Sequence, residues 1–232
     1  AFAKMGRKTL IVDLDSQANA TQYVMGERAN SITSTIADFY SSTLSISPFK
    51  NSLEDAVYRT AHKNLFIIPS EKSLSDLQPK LEARYKIFKL QQALEILCEE
   101  QGFDEVLFDT PPALNFYSMS AMMAADTVLV PFDCDAFSED ALHHVQDIVD
   151  EISADHNDSL RTEGVIVNHY MANAKLPQKA IESIRGSGFT PLHPFLSSSI
   201  VSVDVGNKTS GQHRYSTSSV IPPTFTISHS LW

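Results

Sequence analysis

Gly6-Arg7-Lys8-Thr9-Leu10-Ile11-Val12-Asp13-Leu14-Asp15-Ser16-Gln17-Ala18-Asn19-Ala20-Thr21 decides how this chain is read. A short apolar, β-prone run from Thr9 to Val12 ends in two carboxylates separated by one leucine. A strand buried on both faces reads as a continuous apolar run, and its polar residues collect at its tip. The same grammar returns in Phe103-Asp104-Glu105-Val106-Leu107-Phe108-Asp109-Thr110-Pro111-Pro112, where the apolar run ends in one aspartate. Gly6, with Lys4 and Arg7 beside it, stands where the C-cap of a short helix belongs.

Working outward, strand and helix alternate. Strands are expected at residues 64–68 (ending in Pro69-Ser70), 105–108, 127–130 (ending in Pro131) and 164–167 (ending in Asn168). Helices are expected after a Ser31/Thr33 cap through Tyr40, from residue 52, over 74–100 in one or two pieces, and over 115–125, 138–154 and 177–186. Continuously apolar strands, each followed by a helix, predict an α/β fold with a doubly wound, mainly parallel sheet. Ligands in such sheets bind beyond the carboxyl ends of the strands. Asp13, Asp15, Ser70, Asp109, Asp133 and Asn168 all fall at those ends.

The 232 residues, 43% hydrophobic and 20% charged, suffice for one sizeable core. Mean hydropathy is −0.12, and no apolar run approaches the roughly twenty residues of a membrane-spanning helix. Two cysteines, Cys98 and Cys134, make no disulfide framework and suit a reducing cytoplasm. Eighteen basic against 28 acidic residues give a net charge of −10, which excludes a general attraction to DNA or anionic lipid. Residues 205–232 contain no acidic residue and many Ser and Thr, and Pro222-Pro223 interrupt them, so an irregular tail is expected there. The body is read as one domain over residues 1–204.

An apolar strand that fixes one carboxylate beside a nucleotide-bound Mg²⁺, usually through a water, is the Walker B arrangement. With both acidic strand ends in order, the chain resembles the ParA-type partition ATPases, deviant-Walker P-loop proteins of the ParA/MinD superfamily. That family carries Gly-Lys-(Lys/Arg), an apolar strand, Asp-Leu-Asp and Pro-Gln-Gly-Asn-Ala-Thr. Here Ser16 replaces the proline and Ala18 the glycine. Phe108-Asp109-Thr110-Pro111-Pro112 is similar to its Walker B strand, Leu65–Ser70 to its intervening strand, and residues 121–131 to its Ala-Ala-Asp, strand, Pro segment. Gly164-Val165-Ile166-Val167-Asn168 and Leu192-His193-Pro194 fall where the family places its base-binding strand and a late proline.

The resemblance implies a P-loop type sheet whose first strand and Lys-Gly-Gly-x-x-x-Lys-Thr loop are expected upstream of Ala1. It implies ATP and Mg²⁺ as cofactors, with Asp15 orienting the attacking water. Asp13 and Asp109 would serve the metal, and Asn168 and Pro194 the adenine. It further implies an ATP-dependent homodimer serving partition of plasmid or chromosomal DNA in the cytoplasm, at the nucleoid, with a centromere-binding adaptor and no membrane. Non-specific DNA is a family partner, but the basic residues it needs are missing after residue 200. The intact protein is expected to hydrolyse ATP, and this chain alone weakly or not at all.

Two alternatives stay open: a catalytically inactive ParA-like protein-interaction module, and a membrane-associated septum-positioning relative, which would need a basic amphipathic C-terminal helix. Other motifs carry less. Gly206-Asn207-Lys208-Thr209 lacks glycine directly before its lysine and is not a phosphate loop. Asp133-Cys134-Asp135 has no spaced His or Cys partner and reads as a solvated loop. The adjacent His143 and His144 face different sides of a helix and form no metal pair.

Overall fold

The computed structural model describes residues 1–46, 51–133, 139–168, 175–193, 195 and 226–230. Its strands are β1 (Thr9–Asp13), β2 (Tyr58–Arg59), β3 (Leu65–Ile68), β4 (Glu105–Asp109), β5 (Thr127–Asp133), β6 (Arg161–Asn168), β7 (Pro191–Leu192) and β8 (Thr226–Ser230). They form one sheet in the order β2-β3-β1-β4-β8-β5-β6-β7. β3, β1 and β4 are parallel to one another, as are β5, β6 and β7. β2 pairs antiparallel at one edge, and β8 is antiparallel to both β4 and β5 inside the sheet. The expected mainly parallel α/β architecture is what the chain forms.

The helices are α1 (Asn19–Met25), α2 (Ile36–Leu44), α3 (Leu74–Ala83), α4 (Lys89–Gln101), α5 (Phe116–Met123), α6 (Glu139–Asp155) and α7 (Lys175–Gly186). Among the described residues none is long and apolar enough to cross a membrane. The 74–100 stretch is two helices, broken at Tyr85, whose φ is +53°. Asn115 caps α5 by accepting from the amides of Tyr117 and Ser118. Gly6 closes a 3-10 turn over Phe2–Met5 in the left-handed conformation, as its sequence position predicts.

Four local expectations are corrected. The cap before α2 is Thr35, not Ser31 or Thr33: Thr35 and Asp38 form a reciprocal capping box, while residues Gly26–Ser31 make a 3-10 turn. The segment from residue 52 winds only one 3-10 turn, Glu54–Ala56. β5 does not stop at Pro131 but continues to Asp133. Its parallel ladder to β6 runs on through Pro131, opposite Ile166, to Asp133, opposite Asn168. Within residues 205–232, read as an irregular tail, Thr226–Ser230 enters the sheet.

Fully buried aliphatic and aromatic side chains line one face of the sheet. Leu10 and Val12 of β1, Val106 and Phe108 of β4, Val128 and Val130 of β5, and Val165 and Val167 of β6 are all at most 1% exposed. Burying each such side chain contributes about 1.5–3 kcal/mol. On the other face Ile11, Leu107, Leu129 and Ile166 are only half-buried. The start of β1 is pinned to the approach to β4: the Lys8 amide donates to Asp104 (2.6 Å) and Arg7 pairs with Glu105 (2.8 Å). The Lys8 ammonium lies 4.6 Å from the Phe103 ring centre and donates to the Gln101 carbonyl. These contacts fix the register that brings the two acidic strand ends side by side.

Candidate functional site

β1 and β4 run parallel with Thr9 opposite Glu105, so at the far end of the five-residue ladder Asp13 stands opposite Asp109. Equal strand lengths and a shared apolar pattern deliver both carboxylates to the same sheet edge. The backbone then leaves β1 with the Leu14 amide donating to the Asp109 carbonyl (2.8 Å). That bond holds the turn carrying Asp15 against the tip of β4.

Asp13 is fully buried and its two oxygens are both engaged. Oδ2 accepts from the Thr21 amide (2.8 Å) and hydroxyl (2.6 Å), and Oδ1 from the Asp15 amide (3.1 Å). Burial nonetheless raises its pKa, aided by the Asp15 charge and opposed by those hydrogen bonds. Asp15 is 8% exposed; its Oδ1 accepts from the Gln17 amide (2.9 Å) and its carbonyl from the Ala18 amide (2.9 Å). Asp109 is pushed up to about 7, first by burial and then by the charges of Asp13 and Asp15.

The structure therefore brings together Asp13, Asp15 and Asp109. Asn168 lies at the same sheet edge, opposite Asp133 in the β5–β6 ladder. In strand order β8 and β5 separate it from β4, which at ~4.8 Å per strand step is about 14 Å. Pro194, Cys134, Asp135 and residues 206–209 lie outside the described residues. His143 packs edge-on against Phe189, a packing role.

The sequence places Ser70 at a strand end but assigns no role to Thr21. Thr21 is 3% exposed and binds Asp13 with both amide and hydroxyl. The Ser70 amide in turn donates to Thr21 Oγ1 (2.9 Å). Thr21 was within the quoted stretch, but its partner lies eight residues back, out of reach of any local periodicity.

Three neighbouring carboxylates, two of them with raised pKa, form an acidic cluster at the strand ends that a divalent cation would relieve. Among the described residues no group of three or more acidic, His or Cys side chains is arranged as a direct metal cage. With both Asp13 oxygens taken by protein donors, the arrangement fits a hydrated Mg²⁺ held through water rather than one ligated directly by the three carboxylates.

Known proteins resemble this chain in sequence and in fold. A family model described as an AAA domain matches residues 1–162. The chromosome partitioning protein ParA of Myxococcus xanthus is 28% identical over 187 residues, covering 80% of this chain. Its counterpart in Caulobacter vibrioides is 27% identical over 186 residues, covering 80% of this chain and 67% of the relative. The chain spans 62% of the length of the Myxococcus relative. Cobyrinic acid a,c-diamide synthase from Mycobacterium smegmatis, solved with bound ADP and magnesium, shares the fold. Its TM-score is 0.74 at 21% identity, covering 84% of this chain and 76% of that one.

Proposed function

Since the chain belongs to the AAA domain family and to its ParA-type P-loop members, we propose that it is the ATPase domain of a partition protein that hydrolyses ATP with Mg²⁺. The observation that carries this reading is the in-register pairing of Asp13 with Asp109, with Asp15 held two residues on. Phosphoryl transfer asks a protein chiefly for positioning and charge compensation, and carboxylates fixed on rigid strand ends supply both.

In this reading Asp109 is the Walker B acid, facing the hydration shell of Mg²⁺. Asp13 supports the same shell by anchoring the turn between β1 and α1. Asp15, on that turn, orients the attacking water. Asn168 contacts the adenine edge, its separation from Asp109 leaving room for the rest of the nucleotide, and Pro194 the ring face. Mg²⁺, when bound, neutralises phosphate charge and lowers the cost of the clustered carboxylates. Residues 1–204 form the ATPase domain and 205–232 a tail that lends β8 to its sheet.

The biological role we infer is segregation of plasmid or chromosomal DNA through an ATP-dependent monomer–dimer switch, working with a centromere-binding adaptor in the cytoplasm, at the nucleoid. The names of the Myxococcus and Caulobacter relatives support it. The test is ATP hydrolysis by the product of the complete reading frame that encodes these residues. Mg²⁺-dependent phosphate release is expected, abolished in Asp15→Ala while a fluorescent ATP analogue still binds. Hydrolysis unchanged by Asp15→Ala would remove the role given to Asp15. No nucleotide binding at all would leave the protein-interaction reading in its place.

A further inference from the structure

We propose that Thr21 is a positioning residue of the carboxylate site, locking Asp13 and, through it, the turn that presents Asp15. This rests on the ATPase reading for its consequence, but on geometry for its substance. A hydroxyl has one hydrogen to give and two lone pairs to receive. Thr21 Oγ1 gives its hydrogen to Asp13 Oδ2 and receives the Ser70 amide, so its orientation is fixed from both sides. The Thr21 amide adds a second bond to the same carboxylate oxygen.

The other Asp13 oxygen accepts from the Asp15 amide, and Asp15 Oδ1 from the Gln17 amide. A continuous chain of hydrogen bonds thus runs from the tip of β3 at Ser70, through Thr21 and Asp13, to the Asp15 backbone and on to its carboxylate. Thr21 is the link joining three elements: α1, which carries it, β1, which carries Asp13, and the segment leaving β3. Asp13 itself, buried and accepting three hydrogen bonds, acts as the anchor of the turn. The residue whose loss frees that anchor is Thr21.

The test compares Thr21→Val, which keeps the shape and removes the hydroxyl, with Thr21→Ser, which keeps the hydroxyl. Amide hydrogen exchange is read residue by residue. Losing a hydrogen bond to a charged group should speed exchange at Asp15, Gln17 and Thr21 by at least about tenfold. Val12, Phe108 and Val165 in the strands should hold their wild-type rates, and Thr21→Ser should restore the turn. If Thr21→Val does not fold, Thr21→Ala against Thr21→Ser gives the same comparison. Equal exchange in the Val and Ser variants, or a uniform rise across all strands, would overturn the proposal.

In the product of the complete reading frame, Thr21→Val should lower kcat with KM unchanged, and Thr21→Ser should rescue kcat. A wild-type protein without turnover would sink the ATPase reading and leave the exchange result standing. A locked turn in wild type that loosens only without the hydroxyl supports the positioning role by itself.

Discussion

Asp13 and Asp109 stand directly opposite each other at the carboxyl ends of two neighbouring parallel strands, and burial raises the pKa of both. Two acids are held where neither is comfortable as an anion, and a third, Asp15, adds its charge to each. Sheets place apolar runs against apolar runs for stability; here the same register delivers a cost. Proteins keep such costs mainly where a ligand removes them.

That cost has a pH signature. The Asp109 carboxyl titrates at about 7 in the folded protein against an ordinary value of 3.8. Between those values the folded state holds a proton that the unfolded chain has released, so stability falls as pH rises from about 4 to about 7 and then levels. Asp13 pushes the same way. Asp109→Asn should therefore melt at a higher temperature than wild type at pH 8, with the gain shrinking towards pH 4. Millimolar Mg²⁺ should raise the wild-type midpoint at pH 8 more than that of the variant. Thermal midpoints across this range decide it, and a pH-independent difference between the two proteins would count against the clustered-charge account.

Ala18 has φ +55° and ψ +34°, a left-handed conformation, on the turn between Asp15 and α1. A residue with a Cβ is strained there by about 1–2 kcal/mol, and glycine is not. Glycine also costs about 0.4–1 kcal/mol through the freer unfolded chain. Ala18→Gly should thus stabilise the protein by about 0.5–1 kcal/mol, read as a higher urea midpoint with an unchanged slope. A lower midpoint would show that the turn is not held in this conformation in solution.

The sequence made the sheet and its acidic tips legible because continuous apolar runs ending in Asp or Asn leave few other readings. The family resemblance then named the same residues that the β1–β4 register brings together. What stayed hidden depends on distant partners. β8 has only one aliphatic residue in Thr226-Ile227-Ser228-His229-Ser230, and nothing local marks it for the middle of a sheet. Pro131 reads as a strand end in sequence, yet β5 keeps its pairing with β6 through Pro131 to Asp133, a continuation set by the partner strand and not by local sequence. The α2 cap was misplaced although Thr35 and Asp38 carry the capping-box spacing. Ser31 and Thr33 offered the same chemistry a few residues earlier.

Gly164 marks a close approach between β6 and β7. Its φ is +157°, and a Cβ there would lie 2.6 Å from the Thr190 carbonyl oxygen and 2.9 Å from Leu192 Cγ. The Thr190 carbonyl also accepts from the Val165 amide at 2.9 Å, so it cannot retreat without breaking that bond. Gly164→Ala should cost about 1–3 kcal/mol and speed amide exchange at Val165. Unaltered stability would mean that β7 yields freely.

The antiparallel β8 sits between two strands that are parallel to each other, pairing Ser228 with Leu107 on one side and Thr127 on the other. Without it, β4 and β5 would face each other as unpaired edges inside the sheet, a state that costs hydrogen bonds and invites intermolecular pairing. Ser228→Pro removes an amide in mid-strand and should lower stability by about 3 kcal/mol, whereas Ser228→Ala, which keeps the amide, should change it by at most about 0.5 kcal/mol. Urea unfolding of the two variants, with light scattering to detect association, makes the comparison. If both variants unfold like wild type, the Thr226–Ser230 strand contributes nothing to the sheet in solution. If only the proline variant is weakened and associates, β8 is what closes the gap between the half of the sheet carrying Asp13 and Asp109 and the half carrying Asn168.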